Sequence, residues 1–331
     1  MHCEPPVDCR LVWWSTVEMD SRSNRSSAGQ AESAPSVLSD PVLWDLYEKP
    51  YSLMRPAVQR APFVFASPHS GRLYPRAFLA QSRLSGASLR RSEDAFADGL
   101  FAGAVRLGAP LIAARFPRAY VDANRAPTEL DSSMFNGALS VPVDASSPRV
   151  SAGLGVIPRI VRDGAEVYLT RLSPHEAEER LLRLHRPYQD ALLQIAEETR
   201  AHFGAAVIVD CHSMPSAAAA IDVVLGDRYG TSASHALIRL AEDAFRACGF
   251  SVARNVPYAG GYTTHRHGQP HKGMHALQIE INRALYLKEE QIAPNSDFDQ
   301  VSARLCLALA ELMTIDINLL RSQMGSRLAA E

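Results

Sequence analysis

Short apolar runs that close on polar residues, separated by amphipathic stretches, constrain this chain more than any other feature of its sequence. The clearest run is Ala205-Ala206-Val207-Ile208-Val209-Asp210, followed at once by Cys211-His212-Ser213. Phe63-Val64-Phe65-Ala66 ends in the same manner at Ser67-Pro68-His69-Ser70-Gly71. Each reads as a buried strand leading into a turn. Residues 275–281 (HALQIEI) read as a third strand, and 109–114, 119–121 and 250–252 as shorter ones. Helical spacing marks 88–107, 174–199, 231–248 and 298–320, with Pro187 predicting a kink or break inside the second of these. Residues 128–150 and the Gly- and His-rich 260–273 read as loops. Strands alternating with helices point to an α/β fold around a central, largely buried sheet. No internal repeat is visible.

Composition fits this reading. Of 331 residues, 47% are apolar and 21% charged, so a sizeable core is available and a wholly disordered, collagen-like or disulfide-stapled chain is excluded. With 34 basic against 36 acidic residues the formal charge is −2, which suggests neither a nucleic-acid nor an acidic-membrane partner. A local basic pocket is compatible with that average. No apolar run reaches the length of about 20 residues that spans a bilayer. Five scattered cysteines (Cys3, Cys9, Cys211, Cys248, Cys306), without a CxxC pair, indicate a reducing compartment and predict a cytoplasmic protein. Residues 1–40 lack a secretory pattern and are rich in Ser, Ala, Asn and Gln towards their end, which predicts a disordered tail ahead of a single domain over 41–325. A second reading starts translation at Met19 or Met54.

The chemistry-bearing motifs begin with absences. There is no GxSxG, no GxxxxGK[ST] and no HExxH, and Gly153-Leu154-Gly155 lacks the third glycine of a dinucleotide loop. What remains is polar residues at strand ends, where ligands bind in open α/β sheets. His69 and His212 each lie just past an apolar strand, and neighbouring parallel strands would bring them together. A lone histidine is more often structural, but this pair suggests a metal, and a catalytic zinc takes three protein ligands and an open position. The third candidate lies in Arg91–Asp98 (RSEDAFAD), where helix capping and metal binding are equally good readings. Glu280 shares a strand face with Gln278. It is either a general base or the partner of Arg283 or another arginine. Arg118 and Arg125 supply guanidinium groups suited to an anionic substrate, with Asp122 or Glu129 as the plainer partners. Gly260-Gly261 opens either a substrate loop or a simple turn. Of His265, His267, His271 and His275, one at most is expected to reach a site. His175, His185, His202 and His235 carry no assigned chemistry, and Cys211, pointing away from His212, reads as buried and inert.

Taken together these residues resemble the N-formylglutamate amidohydrolase family. The resemblance rests on PHSG at 68–71, SED at 92–94, RAYVDANR at 118–125, RPY at 186–188, DCHSMP at 210–215, NVPYAGGYTTHRHG at 255–268 and HALQIEINRALYL at 275–287. They occur in the family's order over about residues 60–290. The resemblance implies a zinc-carboxypeptidase-like fold, three-layer αβα with a central mixed sheet. It implies metal-dependent hydrolysis of a small N-acyl amino acid, such as N-formyl-L-glutamate to formate and glutamate, as in histidine catabolism. It carries His69, Asp94 and His212 over as Zn2+ ligands, with Asp94, rather than Glu93, matching the last acid of the family's DTD. It carries over Glu280 as the catalytic carboxylate and Asn124 and Arg125, with Arg118 nearby, as substrate-binding residues. The family's PYH becomes Pro187-Tyr188-Gln189, and Ser92 replaces the first acid of DTD. A deacylase or carboxypeptidase acting on another N-acyl substrate, or a silent carboxylate-binding relative, is the alternative. The oligomeric state is not legible.

Overall fold

Alternation along the central strands decides the layering of the molecule. The computed structural model describes residues 40–161 and 164–321. Of the tail expected over 1–40, residues 1–39 lie outside the described residues. Asp40 is buried, and its carboxylate accepts from Val42 N at 3.1 Å to cap the helix Pro41–Glu48. The sheet has seven strands: β1 (Tyr51–Met54), β2 (Phe63–Ser67), β3 (Leu111–Ala114), β4 (Ala206–Met214), β5 (Val223–Gly226), β6 (Val252–Arg254) and β7 (Met274–Asn282). Their spatial order is β1-β3-β2-β4-β7-β5-β6. β3, β2, β4 and β7 run parallel to one another, β1 and β5 run antiparallel to β3 and β7, and β6 follows β5. The expected mixed sheet is therefore present.

Val64, Ala66, Ile208 and Ala276 enter one core with the helix Arg186–Phe203, while Phe63, Phe65, Val207, Val209, Leu277 and Ile279 enter the other. The second core is covered by His235–Ala247 and Phe298–Leu312. Two apolar faces on one sheet produce three layers, αβα. Among the described residues, no helix is long and apolar enough to cross a membrane.

Several expected elements are drawn differently. The helix over 88–107 is three short ones, Gly86–Arg90, Ala97–Leu100 and Gly103–Arg106. The chain leaves helical geometry between the first two so that Asp94 N can donate to His69 O at 3.0 Å. Residues 119–121 are not a strand: Tyr120 N donates to Pro117 O at 2.9 Å and Asp122 N to Val156 O at 2.8 Å, so the apolar run is buried in turns. The 174–199 helix breaks as Pro187 predicts, into Pro174–Arg180 and Arg186–Phe203, with a π-helical turn Leu181–His185 between them. The loop over 260–273 contains a helix, Tyr262–His267, and the last helix stops at Leu312.

Candidate active site

The parallel strands β2, β4 and β7 deliver three polar side chains to one end of the sheet. His69 lies in the turn two residues beyond β2. His212 is not beyond β4 but inside it, because β4 stays paired with β7 as far as Met214↔Asn282. Glu280 is the partner of His212 in that register. Period-two alternation puts Asp210 and His212 on the face of Ile208, away from Cys211. Cys211 is buried, and burial pushes its thiol well above its ordinary range, as expected for an inert residue.

Asp94 joins the two histidines. Its Oδ2 lies 2.8 Å from His212 Nδ1 and 3.3 Å from His69 Nδ1, and the imidazole centroids are 4.7 Å apart. These three buried ligand atoms fall within 4.8 Å of one another. Burial alone would raise the Asp94 carboxyl, but His212 and His69 hold it well below the usual carboxylate range. Burial alone would lower His212, but Asp210 and Asp94 hold it well above the usual imidazole value. The outer nitrogens are occupied as well. His69 Nε2 is 2.7 Å from Asp122 Oδ1 and His212 Nε2 is 3.0 Å from Asp210 Oδ2. Without a cation the ring N–H groups answer the carboxylates; with one bound, the carboxylate on each Nε2 would keep a proton there and free each Nδ1 to act as a ligand beside Asp94. Two imidazole nitrogens and one carboxylate oxygen, each oriented from behind, suit a divalent cation with an open position.

Neither alternative reading of the acidic segment fits. The helix Ala97–Leu100 has no side-chain cap, and Asp94 is engaged elsewhere: its Oδ1 accepts from Arg283 Nη2 at 3.0 Å. Glu93 turns away, accepting from Tyr74 Oη at 2.7 Å and from Arg90 Nε at 3.2 Å. Arg283 is therefore the partner of Asp94 and not of Glu280. Glu280 accepts from Gln278 Nε2 at 2.9 Å. Burial first, with Asp94 and Asp210 adding to it, raises its pKa to about 7 against the opposing charges of His212 and Arg118.

His69, Asp94, His212 and Glu280 line one cavity of about 660 Å³, together with Arg118, Asn124 and Arg125. Arg118 Nε donates to Asp122 Oδ2 at 3.0 Å. Arg125 donates to Leu154 O at 3.0 Å and to Asn124 O at 2.9 Å, and lies 3.9 Å from Asp122. The Asn124 amide is engaged within the protein: Nδ2 donates to Asp210 Oδ2 at 3.0 Å, and Oδ1 accepts from Thr263 N at 2.8 Å. A Cβ on Gly261 would lie 2.4 Å from that amide, so Gly261 serves this close approach. None of His265, His267, His271 and His275 lines the cavity. Sequence reasoning missed Asp210 as a histidine partner, although its i, i+2 spacing to His212 on a strand was a usable signal.

Known proteins share this arrangement of sequence and fold. A family model described as N-formylglutamate amidohydrolase matches residues 61–287. An N-formylglutamate deformylase of Pseudomonas aeruginosa is 29% identical over 242 residues, 70% of this chain and 84% of that protein. One from Pseudomonas putida is 27% identical over 241 residues, with the same coverage of 70% and 84%. The crystal structure of an N-formylglutamate amidohydrolase from Ralstonia eutropha superposes with a TM-score of 0.74 at 34% identity, covering 80% of this chain and 96% of that one. An Agrobacterium tumefaciens protein shares the fold at TM-score 0.59 and 18% identity, covering 86% and 97%.

Proposed function

The chain belongs to the N-formylglutamate amidohydrolase family and is a hydrolase of an amide bond, and on that premise we propose that it deformylates N-formyl-L-glutamate with a zinc ion held by His69, Asp94 and His212. The observation that supports this most is the convergence of two Nδ1 atoms on Asp94 Oδ2, with Asp122 and Asp210 behind the rings. A divalent cation held by His69, Asp94 and His212 would supply Lewis-acid activation.

The protein's own residues do the rest. Glu280 takes a proton from the attacking water, a task for which a carboxylate titrating near neutrality is suited. It returns that proton to the amine as the C–N bond breaks, so water, formyl carbon and leaving nitrogen balance as formate and glutamate. Arg125 and Arg118 hold the substrate α-carboxylate, and Asn124 positions the wall of the cavity between His212 and Thr263. In the cell the reading places this chemistry in the cytoplasm.

Formate release from a panel of N-formyl and N-acetyl amino acids is the test, with chelation and zinc add-back. Zinc-restored release of formate from N-formyl-L-glutamate is expected. Preference for N-acetyl substrates, or turnover untouched by chelation, would overturn the reading.

A further inference from the structure

We propose that Arg149 is the residue that selects the second, side-chain carboxylate of the substrate, making the cavity specific for dicarboxylic N-acyl amino acids. This deepens the deformylase reading and rests on it.

The charge of the cavity is the starting point. Five arginines line it, Arg91, Arg118, Arg125, Arg149 and Arg283, against three carboxylates, Asp94, Asp122 and Glu280. A chain of net charge −2 has thus gathered cations at one place. Four of the arginines are accounted for. Arg283 serves Asp94 at 3.0 Å, while Arg118 at 3.0 Å and Arg125 at 3.9 Å share Asp122. Arg91 pairs at the surface with Glu290 at 3.5 Å.

Arg149 differs from these. It sits on the short helix Pro148–Ser151, in a segment that contributes none of the ligand-holding or proton-transferring side chains. Its guanidinium lies 3.6 Å from Glu129 Oε1, but that carboxylate is already satisfied. Ser147 Oγ donates to Oε1 at 2.6 Å and Ala126 N to Oε2 at 2.9 Å. Glu129 can therefore do without Arg149. The Arg149 side chain is 40% exposed and accessible to a ligand entering the cavity.

Other cations stand near it. Gly260 lines the cavity, and a Cβ there would lie 2.9 Å from Arg228 Cγ. Among the described residues Arg228 has no ion-pair partner. Burial, and then the charge of Arg149, lower the pKa of Arg228, and Arg149 also weighs on Arg125. Like charges held together in a cleft are a cost that a bound anion relieves. The α-carboxylate answers Arg118 and Arg125. A substrate with a single carboxylate leaves Arg149 with only its long contact to Glu129, and a dicarboxylate answers it through a charge-assisted, bidentate contact, with Arg228 adding positive charge nearby.

The test is the ratio of kcat/KM for N-formyl-L-glutamate to that for N-formyl-L-norvaline, which keeps the α-carboxylate and has a neutral side chain. It is measured in the wild type, Arg149→Gln, Arg149→Lys and Arg228→Gln. Arg149→Gln is expected to lower the ratio by about 10–100-fold, chiefly through KM. Arg149→Lys should retain part of the preference, and Arg228→Gln should lower it less. A ratio within twofold of wild type in Arg149→Gln, or equal losses on both substrates, overturns the proposal. If the wild type releases formate from neither substrate, the deformylase reading fails by itself. Calorimetric binding of glutarate against butyrate then decides the role of Arg149: a selective loss of glutarate binding in Arg149→Gln supports it, and unaltered selectivity refutes it.

Discussion

His212 and Glu280 face each other at paired positions of β4 and β7, the longest parallel ladder of the sheet. Val207 and Val209 on one strand and Leu277 and Ile279 on the other point into the opposite core. A slip of one residue would therefore bury the wrong face of either strand and separate the two groups together. Site geometry and core packing share one register.

Glu280→Gln is expected to keep bound metal and lose roughly 10²–10⁴-fold in kcat. Glutamine fills the same space beside Gln278 but accepts no proton. Single-turnover formate release with parallel metal analysis checks this. An unchanged rate removes Glu280 from the chemistry.

His212→Ala should lose most of its zinc, since one of three ligands is gone. Asp122→Asn should fold and still bind metal, with affinity weakened by about 10–100-fold, because the carboxylate that orients His69 is lost. Elemental analysis of the purified variants and a competition titration with a chelator read both effects. Wild-type zinc content in His212→Ala would sink the assignment of the site.

His267 is buried against Gln189, with its Nε2 3.2 Å from Gln189 Oε1. Burial, with the charge of Arg266, lowers its pKa from 6.5 to about 4. Between those values the unfolded chain binds a proton that the folded one refuses, so stability falls as pH drops through this window. At pH 4.5 the loss from this group is about 2–3 kcal/mol relative to pH 7. Urea unfolding of His267→Gln at the two pH values should show a smaller difference than wild type by that amount. Equal differences would contradict it.

Arg180 is fully buried over the Tyr120 ring, 3.9 Å from its centroid, and donates to Tyr168 Oη at 2.7 Å while pairing with Glu176. Arg180→Met should destabilise the fold by roughly 2–4 kcal/mol. Because Tyr120 belongs to the segment that presents Asp122, zinc affinity should weaken as well. A thermal melt and the same chelator titration would check both; wild-type stability would mean that the aromatic box carries no weight.

The legible part of the site was the part that interrupts a period. His69, His212 and Glu280 each break or end an apolar strand, and a strand announces which face a residue takes. The acidic segment was ambiguous because Glu93 and Asp94 are neighbours on a chain that only looks helical. The Arg283 contact, far away in sequence, holds Asp94 beside the histidines, while Tyr74 and Arg90 hold Glu93 elsewhere. The helical spacing over 88–107 failed for the same reason, since the backbone bends to present Asp94. β1 and β5 went unread, being four residues each and too short to show a clear period. Gln189, where the resembling family has histidine, donates to Ala123 O at 2.7 Å and accepts from His267. An amide offers both functions at once, so the departure has a use that only the packed structure reveals.

The cavity draws its parts from two kinds of chain. The two histidines and Glu280 stand on or just beyond paired strands and Asp94 in the bend between two short helices, whereas Arg149, Leu154 and Ile160 reach the cavity from the segment between Ser147 and Val161. On the proposed reading, bond breaking and side-chain selection draw on different stretches, joined where Asp122 N donates to Val156 O and Arg125 to Leu154 O. Evolution, or an engineer, can exchange the customer without retraining the craftsman: grafting that one segment between homologues should change which acyl amino acid is accepted while the reaction stays the same.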